Sequence, residues 1–498
     1  MSTRTTYRIS QSDRVIFHNH ARYCVGTGRM GLALHKEYLD QLALVQSEVG
    51  FSHIRGHGLF CDDMAIYNEQ ADGTPFYNFT YLDRVFDSYL ALNLRPFIEL
   101  GFMPYALASG TQTIFYWKGN TTPPKDHEKW AELIRALIRH LIARYGREEV
   151  ALWPVEVWNE PNLTGFWENA DKEAYFRLYE VSAQAVKGVL PQMRVGGPAI
   201  CGGEGSLDWI RDFLAYCKDH ALPLDFVTRH LYLGRQPERR GRYLYHEMNT
   251  PGIMIKEARD TREIIDSFPE YRGMELHITE FNTSYHPFCP THDTNYNAAL
   301  IAAVLAGLGE TCASYSYWTF GDVFEEQGVP DRPFHGGFGL VANGLIPRPT
   351  LWTFQFFSRL RGTPVRKGED CVVLREEDGS YRAVLWNLCQ DSRERRTVEL
   401  ALPAMDGEWA AVTRVVDEED CNPLKMWHDL GEHASLSREE LALIREAARP
   451  KAASRTLVAK DGLMILALEL KENAVVWLEL RKVSREESFG YEYPVDPR

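Results

Sequence analysis

Two glutamates stand where short apolar runs end. Trp158-Asn159-Glu160-Pro161 closes the run PVEVWN (154–159), and Thr279-Glu280-Phe281 closes ELHITE (275–280). Two facing carboxyls can divide the work of cleaving a glycosidic bond. One, kept protonated, gives its proton to the departing oxygen; the other, ionised, attacks or stabilises an oxocarbenium-like centre. That division requires surroundings that push the two pKa values apart. Spacing alone does not say which glutamate takes which role, and either could instead be a solvated strand-end carboxylate. The Asn-Glu-Pro setting favours chemistry at Glu160. Asn159 offers a donor suited to a sugar 2-hydroxyl, and Pro161 cannot extend a ladder, so the strand stops there. Glu280 gains its meaning from that partner.

Only a closed barrel would bring together residues 120 positions apart. Eight strand-like runs alternate with amphipathic stretches: 23–28, 51–55, 95–100, 154–159, 193–198, 225–232, 275–280 and 313–320, with helices expected at 36–48, 82–92, 127–145, 171–188, 207–219, 253–267, 294–308 and 350–361. The stretch 127–145 has apolar residues at 130, 133, 134, 137, 138, 141 and 142, which is helical spacing. Eightfold alternation predicts an α/β fold, a (β/α)8 TIM barrel over 15–361. An open doubly wound sheet is disfavoured, because the glycines of GTGRMG are misplaced for a dinucleotide fingerprint. Beyond about residue 362 the pattern turns to short apolar or alternating strands, with Asp378-Gly379 as a hairpin turn and a helix at 436–448. This predicts a β-sandwich domain over 362–498, with residues 1–14 returning to it as an edge strand.

Barrel active sites form at the C-terminal ends of the strands. The further candidates there are His53 on strand two, His230 and Tyr232 sharing one face of strand six, and Trp318 on strand eight. His57, Tyr285, Glu325 and Glu326 occupy loops after strands, where they could bind hydroxyls. The plainer readings are a satisfied core histidine, a core-filling tryptophan and solvated loop acids.

Composition narrows the chemistry. The 55 basic and 69 acidic residues leave a net charge of −14, which disfavours nucleic acid as a partner. No run is long and apolar enough to expect a membrane partner. The nine scattered cysteines form no CxxC pair, so neither a metal nor a disulfide framework is expected. MSTRTTYRISQSDRVIF has no apolar run followed by a cleavage site, and a cytoplasmic location is the expectation. Aromatic residues reach 12%, which suits stacking on sugar faces or an aromatic-rich core.

VWNEPN (157–162), HITEFN (277–282), RHLY (229–232) and YSYWTF (315–320) resemble the clan of barrel glycosidases with catalytic glutamates on strands four and seven. FSHIRGHGLFCDDM (51–64), YNFTYLDRVFD (77–87), PFIELGFMP (96–104) and YWKGNTTPPKD (116–126) resemble, more closely, the β-xylosidases of glycoside hydrolase family 39, over nearly the whole chain. The resemblance implies a retaining, exo-acting enzyme that takes xylose from the non-reducing end of xylobiose and short β-1,4-xylo-oligosaccharides without a cofactor. It assigns Glu160 as acid/base and Glu280 as nucleophile. It places Asn159, His230 and Tyr232 around the glycosidic centre, Trp318 beneath the sugar, and His53 and one of Glu325 and Glu326 on its hydroxyls. It also implies a homo-oligomer, a tetramer. Other specificities of this fold (α-L-iduronide, α-L-arabinoside, β-glucoside) and a non-catalytic sugar-binding barrel are the alternatives.

Overall fold

In a computed structural model, which describes residues 3–390 and 393–484, eight parallel strands close a barrel. They are β1 (Cys24–Arg29), β2 (His53–His57), β3 (Arg95–Leu100), β4 (Val155–Val157), β5 (Val195–Ile200), β6 (Phe226–Tyr232), β7 (Glu275–Asn282) and β8 (Ser314–Tyr317). Each strand falls on one of the eight predicted runs. The helices between them bury one stripe against the barrel. In the helix His127–Tyr145, Trp130, Leu133, Ile134, Leu137, Ile138 and Leu141 are buried. The Asp126 carboxylate caps its N-terminus by accepting from the Glu128 and Lys129 amides.

Register decides what faces the mouth. Between β6 and β7, Arg229 pairs with Ile278 but His230 pairs with Glu280, so Thr279 is an extra residue. Such a bulge breaks the alternation of faces. Thr279 and Glu280 both reach inward as a result: Thr279 Oγ1 donates to Glu156 Oε1 at 2.8 Å, and Glu280 meets Arg55.

The C-terminal part is a β-sandwich. A six-stranded sheet runs in the order Thr363–Lys367, Cys371–Arg375, Tyr381–Trp386, Val475–Lys482, Gly407–Val416, Lys451–Ala459. A three-stranded sheet covers it with Thr3–Arg8, Arg396–Pro403 and Leu463–Leu470, the first pairing parallel to the second. Tyr381, Leu400, Trp409, Leu466 and Leu478 fill the space between the sheets. The helix expected at 436–448 is Arg438–Ala447, and a further short helix, Pro423–Asp429, precedes it. The barrel helices Asn295–Leu308 and Pro349–Ser358 are buried nearly all round, and Phe356 packs against Trp477 of the larger sheet at 6.3 Å. Residues 485–498, the last part of the expected sandwich, and residues 1–2 lie outside the described residues.

Candidate active site

A cleft of about 620 Å³ opens at the C-terminal end of the barrel. Glu160 and Glu280 lie on its floor, both buried. One oxygen of each, and a ring nitrogen of His230, all lie within 4.8 Å of one another. Glu160 reaches this position through unusual backbone: Trp158 and Glu160 hold φ of 70° and 45°, in the left-handed region that non-glycine residues seldom occupy. The Glu160 amide is tied to Ala199 O at 2.9 Å, which fixes the turn after β4.

The two carboxyls have different neighbours. Glu280 Oε1 accepts from Arg55 Nη1 at 2.5 Å, and its Oε2 accepts from the Tyr232 hydroxyl at 2.6 Å. Glu160 Oε1 shares one proton with His230 Nδ1 at 2.8 Å. Burial and the charge of Glu280 push the Glu160 carboxyl well above the carboxylate range, opposed by the more distant Arg55. Burial also raises Glu280, but Arg55, His57 and the Tyr232 hydroxyl all pull it back. Two carboxylates this close cannot both ionise cheaply, so the charge settles on Glu280 and the proton on Glu160.

The remaining predicted residues divide. Asn159 Oδ1 accepts from Arg55 Nη2 at 2.8 Å beside the pair. Tyr285 and Trp318 line the cleft, Tyr285 at its exposed rim and Trp318 buried against the His57 ring at 4.7 Å. Glu326 faces the cleft, and burial with the charges of Glu280 and Glu160 raises its carboxyl well above normal. Glu325 turns away to pair with Arg29 at 2.6 Å. His53 requires a correction. It stands at the start of β2, opposite Cys24 and Arg95, with its ring stacked on Tyr23 at 4.6 Å. That is the far end of the barrel. His57, two turns of the pleat later, reaches the cleft, with Nε2 3.5 Å from Glu280 and 3.9 Å from Glu326.

Three charged residues of the site are fully buried: Arg55, which stands beside His53 on strand two among the polar groups at the strand ends, and Glu99 and Glu156, which the sequence reading missed. Arg55 Nε donates to Glu156 Oε2 at 2.8 Å, and Nη2 comes within 3.0 Å of Glu99. Burial works against its charge, but the charges of Glu156 and Glu280 hold it protonated. The available signal was an acid inside each of the apolar strands PFIEL and VEV, and an arginine between the two histidines of HIRGH.

Glu160, His230 and Glu280 are close enough to share an ion. Arg55 already neutralises Glu280, and Tyr232 occupies its second oxygen, so the donor set suits a covalent nucleophile better than a cation site.

The sequence pattern of Glycosyl hydrolases family 39 matches residues 9–464. The chain belongs to this family. It is 48% identical to the β-xylosidase of Geobacillus stearothermophilus, over 96% of both chains, and 35% identical to that of Caldicellulosiruptor saccharolyticus, over 86% of this chain and 88% of that one. The crystal structure of a monomeric β-xylosidase from Caulobacter crescentus CB15 superposes with a TM-score of 0.88 at 32% identity, covering 96% of this chain and all of that one. This family-39 chain is therefore a glycoside hydrolase.

Proposed function

We propose that this glycoside hydrolase is a retaining β-D-xylosidase that releases xylose from the non-reducing end of xylobiose and short β-1,4-xylo-oligosaccharides. The observation that carries the reading is the Glu160–Glu280 pair, with oxygens within 4.8 Å. An inverting pair must hold a water between carboxyls about 6.5–9.5 Å apart; a retaining pair stands about 5–5.5 Å apart. Glu280, the ionised partner, attacks the anomeric carbon while Glu160 protonates the leaving oxygen. A glycosyl-enzyme forms, Glu160 turns to base, and water releases the sugar with its configuration kept.

Exo action is supported by the shape of the cleft. Its inner end is walled by buried His57 and Trp318 and by half-buried Glu326, while Tyr285 at the rim is 41% exposed. The Tyr116 amide donates to Glu326 O at 2.8 Å, stitching the loops after β3 and β8 across that end. A neutral sugar is supported by charge. No lysine or arginine is among the described residues lining the cleft, whereas Glu257 and Glu326 are. A uronide would bring its carboxylate to a cleft whose described lining offers it no cation.

Glu280→Ala should nearly abolish hydrolysis of an aryl β-xyloside, and added azide should then yield the α-xylosyl azide. Glu160→Ala should keep activity on activated aryl leaving groups and lose it on xylobiose. If both variants hydrolysed xylobiose normally, the assignment would be wrong. A panel of nitrophenyl glycosides tests the sugar: β-xyloside should exceed α-arabinoside, β-glucoside and α-iduronide.

A further inference from the structure

The β2 and β3 side chains behind the nucleophile form a second acid–imidazole pair that the double displacement does not use. His57 Nδ1 lies 2.8 Å from Glu99 Oε2, with both groups buried. Among the described residues the other ring nitrogen, Nε2, faces two carboxyl groups, the ionised Glu280, whose Oε1 is 3.5 Å away, and Glu326, whose Oε1 is 3.9 Å away. The ring is packed by Trp318, Phe102 and Phe115 at 4.7, 5.8 and 6.1 Å, so it cannot turn to seek other partners.

A neutral imidazole carries one N–H, and its place is set by what the other nitrogen meets. A bare Nε2 would oppose its lone pair to the Glu280 carboxylate. Placing the proton on Nε2 removes that repulsion and makes Nδ1 an acceptor. Glu99 must then donate. Its other oxygen, Oε1, is buried without a hydrogen-bond partner, a position that costs a neutral acid less than a carboxylate. The hydrogen bonds of Arg55 go to Glu156, Glu280 and Asn159, so Arg55 approaches Glu99 without claiming it.

We propose that Glu99 is a positioning residue: held as the neutral acid, it donates to His57 Nδ1 and thereby presents His57 Nε2–H to the cleft, toward Glu280, Glu326 and a bound sugar hydroxyl. This deepens the glycosidase reading and rests on it only for the hydroxyl. The groups around the pair are consistent with the assignment. Arg55 and Glu156 sit behind it, Glu280 and Glu326 in front, Glu160 across the axis, and the Cys61 thiol, pushed up by burial, beside it as a neutral group. Burial raises Glu99 to about 8, with Arg55 opposing, and burial lowers His57 to about 3. The proton thus belongs to the acid and the ring stays neutral. Above pH about 8 the pair loses that proton, and the N–H moves to Nδ1 to face the new carboxylate.

The test is long-range 15N–1H correlation of 15N-histidine-labelled protein, with His57 assigned by the signals that His57→Gln removes. Near neutral pH, Nε2 should carry the proton and Nδ1 should be bare. The two should exchange character as pH rises through about 8. Glu99→Gln, whose amide N–H also donates to Nδ1, should keep the Nε2–H form at every pH at which the protein is folded. Glu99→Ala should leave both forms populated and lower kcat/KM by about 10- to 100-fold, the scale for removing a partner that fixes an imidazole; Glu99→Gln should restore most of it. An Nδ1–H wild type at neutral pH, or a tautomer exchange persisting in Glu99→Gln, would overturn the proposal. Neither result depends on turnover, so failure of the xylosidase reading would be seen separately.

Discussion

Tyr232→Phe isolates one contact of Glu280, the proposed nucleophile. The Tyr232 hydroxyl, whose own pKa burial raises so that it remains a donor, gives Glu280 Oε2 a hydrogen bond of 2.6 Å. Phenylalanine keeps the ring and its edge-on contact with Tyr285 at 6.2 Å. A hydrogen bond to a charged group contributes about 1.5–3 kcal/mol. At about 1.36 kcal/mol per pKa unit, its loss should raise the Glu280 pKa by about 1–2 units. The nearest substitute, His230 Nδ1, is 3.5 Å from the same oxygen and already engaged with Glu160, so compensation should be partial. In the proposed mechanism Glu280 must be ionised to attack, so activity should rise as pH rises through its pKa. Raising that pKa moves the acid limb of kcat/KM to higher pH and leaves the alkaline limb, set by the Glu160 proton, nearly in place. The assay is kcat/KM for an aryl β-xyloside across the acid range, with thermal unfolding as a folding control. An acid limb that stays put or moves down, in a folded variant, would refute the charge assignment.

Three further outcomes separate residues that look alike in sequence. His57→Asn should cut kcat/KM at least about 100-fold, whereas His53→Asn, at the opposite end of the barrel, should leave kinetics within about twofold and lower the unfolding midpoint through loss of its stacking on Tyr23. Glu326→Gln should raise KM for xylobiose more than Glu325→Gln, because Glu325 is paired with Arg29 outside the cleft; equal effects would refute the placement. Arg348→Met should destabilise by about 3–5 kcal/mol in denaturant titrations. Arg348 is fully buried and bonds Asp293 at 2.6 Å, Asp322 at 2.5 Å and Gly339 O at 2.6 Å, so the loop bearing Glu326 should loosen and activity fall with stability.

The alternation of strand and helix is legible because it is local. A period of two or 3.6 in apolar residues reflects which face each element buries, and the eight strand runs need no knowledge of their neighbours. The acid-bearing strand ends follow from that, and the flanking asparagine and proline mark Glu160 by residue type alone. Depth along the barrel is not legible. His53, Arg55 and His57 share one inward face of β2, and parity cannot rank them. Reading that strand as 51–55 rather than His53–His57 shifts the mouth by two residues and puts the wrong histidine in the site. The contrast between Glu325 and Glu326 depends likewise on a loop path fixed by Arg29 and by the Tyr116 amide. Only closure of the barrel assembles Arg55 with Glu99, Glu156, Asn159 and Glu280, residues from several segments of chain. Residue order suffices to put two carboxyls at the strand ends of a barrel. Which of them holds the charge follows from the folded arrangement, because a pKa is set by burial and by neighbours that are distant along the chain.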